Sequence, residues 1–126
     1  MGKYIIIDGI EFPVAIVELK RKADILDKTA NRTEDGDLHR EVIGTYINYS
    51  MKIGIVHDLV LYEKLFAKLS EPVPFHTIEM PNDHIKFQGY FGSVNDEVSK
   101  IDPNTGETTY KGLSCNIVAR LPRRRP

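Results

Sequence analysis

The longest unbroken pattern in the chain runs from Val42 to Val56. Ile43, Thr45, Ile47, Tyr49, Met51, Ile53 and Ile55 share one parity, and Gly44, Tyr46, Asn48, Ser50, Lys52 and Gly54 take the other. A period of two with one apolar and one polar face predicts a long amphipathic strand. Earlier, Tyr4 to Ile7 is closed by Asp8-Gly9, a pair whose positive-φ tendency predicts a hairpin. The partner run expected is Phe12 to Leu19, with Pro13 confining it to a strand start or an edge.

The period changes once. Asp58 stands where an N-cap would, and Leu59, Tyr62, Leu65, Phe66 and Leu69 then fall on one face at helical spacing. Glu63, Lys64 and Lys68 take the opposite face, and Ser70-Glu71-Pro72 ends the helix. Alternation then returns. Pro74 to Met80, Ile85 to Val94 and Thr108 to Leu121 read as strands, with Asp102-Pro103-Asn104-Thr105-Gly106 as a turn. Mostly antiparallel strands around a single helix predict a mainly β, α+β fold. The architecture expected is an antiparallel β-sandwich or open barrel with one flanking α-helix and a long charged loop.

That loop is Lys20 to Glu41. It holds Lys20, Arg21, Lys22, Lys28, Arg32 and Arg40 against Asp24, Asp27, Glu34, Asp35, Asp37 and Glu41. Its apolar anchors before Leu38 are few, and Glu34-Asp35-Gly36-Asp37 reads as a tight turn. A polar segment of this length in a small domain is either a contact surface or a long solvated hairpin.

Composition narrows the picture. A chain of 126 residues, 41% hydrophobic and of net charge -1, suits one domain spanning residues 1–126. No apolar run approaches the ~20 residues of a membrane span, and the start lacks a secretory pattern. The expectation is a soluble protein made in the cytosol, with no membrane partner. The single Cys115 leaves no internal disulfide framework. Arg120, Arg123, Arg124 and Arg125 crowd the last seven residues, leaving 13 basic against 18 acidic residues elsewhere. Such a tail is a solvated terminus or a contact for nucleic acid or for an acidic surface.

No catalytic, cofactor or metal constellation is expected. His39, His57, His76 and His84 do not follow a ligand spacing, although His76 and His84 could meet across a hairpin. Cys115 lies between Leu113 and Ile117 on a strand face, which predicts a buried thiol rather than a nucleophile. Gly89-Tyr90-Phe91-Gly92-Ser93 has phosphate-loop glycines in a strand context, where they cannot cradle phosphate. An enzyme would need a site built from Asp37, His39 and His57, with perturbed pKa values in a cleft.

The segment from Leu19, LKRKADILDKTANRTEDGDLHREVIGTYINY, resembles a family of small proteins encoded among tail genes of phages and prophages of Firmicutes. There a similar segment follows an N-terminal hairpin. The Leu-Ser-Glu-Pro-Val run after the helix and the Lys-Gly-Leu near the last strand also resemble that family. The resemblance spans most of the chain and implies a non-enzymatic virion structural protein, similar in layout to tail-tube or distal-tail subunits. It implies self-association into hexameric rings, contact with other tail proteins, and DNA only in passing through a lumen. Intersubunit contacts would fall to Arg21, Lys22, Asp24, Asp27, Arg32, Glu34, Asp35 and Arg40. The alternative is a monomeric adaptor that docks one partner through the same loop.

Overall fold

A computed structural model describes residues 4–125. Every strand pairs antiparallel, in one seven-stranded sheet with the order β2-β1-β5-β6-β7-β4-β3. In chain order the elements are β1 (Ile5–Ile7), β2 (Ile10–Phe12), β3 (Ile16–Arg32), β4 (Leu38–Ile53), α1 (Leu59–Leu69), β5 (His76–Glu79), β6 (Lys86–Ile101) and β7 (Thr108–Ala119). The fold is mainly β with one short helix, as the alternation predicts. Among the described residues the end strands β2 and β3 do not pair, so the sheet stays open.

The first turn obeys its chemistry: Asp8 and Gly9 sit at φ 52° and 81°, the paired positive values of a tight hairpin. Its partner strand is shorter than expected. Phe12 ends β2, and Pro13, with no N–H to donate, separates it from β3, so Phe12 to Leu19 is not one strand. Asp58 caps α1 by accepting from the Leu61 amide at 3.2 Å, and the Ser70 hydroxyl closes the other end on the Phe66 carbonyl at 2.7 Å.

One hydrophobic cluster unites the sheet centre and the helix. Tyr49, Met51 and Ile53 of β4 meet Leu113, Cys115 and Ile117 of β7, Tyr62, Leu65 and Leu69 of α1, and Ile5 and Ile7 of β1. His76 is the single polar side chain buried with them among the described residues.

The charged segment 20–41 is not a loop. It is the distal part of β3 and the start of β4, which pair from Ile16↔Ile53 out to Arg32↔Leu38. It is a hairpin of two strands with a five-residue connection, a form compatible with either reading above. β4 pairs with β7 only over Tyr49–Ile53, so residues 24–32 and 38–46 leave the sheet as a two-stranded ribbon. At about 3.3 Å per residue the ribbon reaches about 25 Å beyond the sheet. β6 also runs past the expected end at Val94, and with β7 it forms a second ribbon from Asp96↔Leu113 to Ile101↔Thr108. Because β4 and β7 are antiparallel and each enters the sheet from its own ribbon, the two tips point in opposite directions.

Candidate functional site

All eight sequence-predicted contact residues lie on the β3–β4 ribbon and its root. Arg21 and Lys22 face Tyr49 and Asn48 at the root, Asp24, Asp27 and Arg40 lie along the shaft, and Arg32, Glu34 and Asp35 form the tip. The structure brings them to one element but spreads them over about 35 Å of strand. Part of their charge is satisfied within the ribbon. Arg40 Nε donates to Asp27 Oδ1 at 2.6 Å, and Lys22 approaches Asp24 at 3.5 Å. Asn48 Nδ2 donates to Asp24 Oδ2 at 2.7 Å, while Asn48 Oδ1 accepts from the Ala119 amide at 2.8 Å, tying the root to the end of β7.

The tip is a built turn. The Thr33 amide donates to the Asp37 carbonyl at 2.8 Å, and Arg32 Nη1 donates to the Gly36 carbonyl at 3.0 Å. The Thr33 hydroxyl and the Asp37 amide both donate to Asp35, whose carboxyl is thereby held below its ordinary value. Gly36, at φ 87°, takes the left-handed position the turn needs. Arg21 and Glu34 make no ion pair among the described residues. The ribbon also carries Ile25, Leu26, Leu38 and Ile43 exposed to solvent.

Sequence reasoning missed the fate of the arginine-rich end. Residues 120–125 fold back across the root of the ribbon instead of trailing into solvent. The Thr45 amide donates to the Arg124 carbonyl at 2.8 Å, and the Arg123 amide donates to the Thr45 carbonyl at 2.8 Å. Arg123 Nη1 donates to Asp83 Oδ2 at 2.8 Å, and its guanidinium lies 5.4 Å from the Phe87 ring centre. Arg120 donates to Gln88 Oε1 at 2.6 Å and sits 4.8 Å from the Phe75 ring centre. Burial pushes the Asp83 carboxyl up, but the Ile85 amide, Arg123 and the Tyr49 hydroxyl together hold it below its ordinary value. The strap fits because Gly44 has no Cβ, which would lie 2.5 Å from the Arg124 carbonyl oxygen and 2.7 Å from Pro122 Cβ. A glycine inside a strand of β-branched residues was the available signal.

The second ribbon is braced by the helix. Tyr62 donates to Asp96 Oδ2 at 2.7 Å, Tyr110 donates to Glu63 Oε1 at 3.1 Å, and the two rings stack at 4.3 Å. Burial, then the bond to Asp96, pushes the Tyr62 hydroxyl pKa up.

The set of Asp37, His39 and His57 does not assemble. Asp37 and His39 lie at the ribbon tip, 3.7 Å apart, whereas His57 follows the far end of β4. His39 and Ile53 stand about 45 Å apart along that strand. Cys115 is buried, and burial pushes its thiol up to about 12, far from a thiolate nucleophile.

Among the described residues one group gathers metal-ligand types: Asp8, Glu71 and His76, with ligand atoms within 4.8 Å of one another. His76 Nδ1 meets Asp8 Oδ2 at 2.7 Å, rather than pairing with His84. Lys68 Nζ lies 3.4 Å from both Asp8 and Glu71, so an ammonium already supplies the cation between the carboxylates. The group ties the first turn, the end of α1 and β5 together.

Comparison with protein-family models, curated proteins and solved structures finds no match. The class is therefore defined by the fold alone: an open antiparallel β sheet with one packed helix and two oppositely directed ribbons.

Proposed function

We propose that this protein is a non-enzymatic structural subunit of a phage tail ring, of tail-tube or distal-tail type, that assembles with copies of itself through the β3–β4 ribbon. One observation carries the reading: a charged two-stranded ribbon stands about 25 Å clear of the sheet with its apolar residues exposed. Beyond the strap at Gly44 and Thr45, a projecting ribbon with solvent on both faces gains little from its own fold, and a neighbouring subunit would cover it. β3 is in addition a 17-residue strand at the sheet edge, with a row of backbone groups free to meet another chain. Opposed charges without an ion pair among the described residues, such as Arg21 and Glu34, suit contacts whose specificity comes from sign matching. In this reading the subunit belongs to the virion tail and is made in the host cytoplasm, and the resemblance of the segment from Leu19 supports it. The acidic body then faces a lumen through which DNA passes without sticking.

Light scattering of the full chain across concentration and salt tests this. Rings or growing assemblies that come apart as salt rises are the expected result. A monomer throughout would transfer the ribbon to the second reading, an adaptor docking one partner protein, which the same exposed apolar residues favour.

A further inference from the structure

The ribbon's two ends are opposite in charge. Residues 32–37 at the tip contain Glu34, Asp35 and Asp37 against the single Arg32, which is turned onto the Gly36 carbonyl, whereas residues 120–125 across the root contain four arginines and no acid. Arg123 is neutralised by Asp83, and Arg120 is turned onto Gln88 and Phe75. Arg124 and Arg125 are exposed and make no ion pair among the described residues. Beside the strap lies a cleft of about 480 Å³, with Ile47, Ile85, Phe87, Leu121 and Pro122 in its walls. Next to the acidic tip, Leu38 is 47% exposed.

We infer that the C-terminal strap is the acceptor for the ribbon tip of a second copy: Glu34 and Asp37 meet Arg124 and Arg125, and Leu38 enters the apolar cleft. The inference rests on the self-assembly reading and names the surface that receives the ribbon. Donor and acceptor sit at opposite ends of one stiff element, about 25 Å apart, so no subunit can satisfy its own tip. A contact of this kind is head-to-tail, which closes into rings or grows into a stack according to the rotation between copies. Tip against tip brings like charges together, whereas tip against strap pairs carboxylates with guanidinium forks suited to bidentate bonds. Asp35 is excluded from the contact set because its carboxylate already holds the turn. Nucleic acid is the other polyanion a basic strap could take. With Arg123 held by Asp83 and Arg120 by Gln88, the remaining pair forms no continuous basic stripe.

The test is a charge-reversal exchange in the full chain, read as a dissociation constant by sedimentation. Glu34→Arg with Asp37→Arg, and separately Arg124→Glu with Arg125→Glu, should each weaken self-association by about tenfold or more. Mixing the two variants should recover affinity, because each reversed tip then meets a reversed strap. All four side chains are exposed, and Arg124 holds Thr45 through its backbone, so circular dichroism should show both variants folded. If wild type assembles and neither reversal changes affinity, the acceptor assignment is overturned while the assembly reading stands. If wild type is monomeric at every concentration, the assembly reading fails and takes the acceptor with it. If duplex DNA binds and only the strap reversal abolishes it, with self-association unchanged, the strap serves nucleic acid and the inference fails.

Discussion

β4 is a single strand with two fates. Its second half, Tyr49, Met51 and Ile53, is buried under α1 and against β7. Its first half continues the pairing with β3, yet Ile43, on the same parity, is 39% exposed and Leu38 more so. Alternation decides which side chains share a face, and a neighbour decides whether that face is covered. Among the described residues β7 and the helix cover the second half, whereas only the C-terminal strap, at Gly44 and Thr45, covers part of the first. That difference is the argument for a partner at the ribbon.

The sharpest way to break the comparison is to truncate one isoleucine in each half. Ile53→Ala removes a fully buried side chain and should lower unfolding free energy by about 2–5 kcal/mol in urea titration. Ile43→Ala, on the same parity of the same strand, should stay within about 0.5 kcal/mol. Equal losses would mean that the ribbon is packed in solution. Gly44→Val comes next, because its Cβ has no room against Arg124 and Pro122. A cost of about 1–3 kcal/mol is expected, with trypsin cutting early at Arg120, Arg123 and Arg124 as the strap lifts. Unchanged cleavage there would show that the strap does not depend on the missing side chain.

Tyr62→Phe separates the second ribbon from the helix that braces it. Losing the bond to Asp96 should cost about 1 kcal/mol and speed amide exchange in residues 96–101 more than in residues 24–32. Acid stability sharpens the strap's part. The folded Asp83 carboxyl titrates below its ordinary value of 3.8, so its contribution is present above that pH and is lost as pH falls through the lower folded value. Asp83→Asn should therefore flatten the pH dependence of unfolding below about pH 4, and an unchanged profile would contradict the pairing with Arg123. The smallest effect belongs to Asp27→Ala. Its pair with Arg40 is short but lies on the ribbon surface, so a loss under about 1 kcal/mol is expected by thermal unfolding.

Much of the fold was legible because its signals are local. Asp58 with Leu59, Tyr62, Leu65 and Leu69 marks a helix whatever surrounds it, and the first and last turns carry Asp8-Gly9 and Asp102 to Gly106. β3 was not legible. A strand with solvent on both faces has no reason to alternate, so Arg21 to Arg32 reads as a polar loop although it pairs across its length. The same holds for β6 beyond Val94. The eight candidate contact residues share one ribbon, but Asp24, Asp27, Asp35 and Arg40 have partners inside it.

What the sequence determined alone is the sidedness of the core-facing strands, the helix and its caps, and the tight turns, because these depend on neighbours within a few positions. Tertiary structure decided which faces are covered and which ribbons project, and it docked the arginine-rich end on Thr45, Asp83 and Gln88. Those outcomes depend on residues tens of positions apart meeting in space, and no local pattern encodes such a meeting.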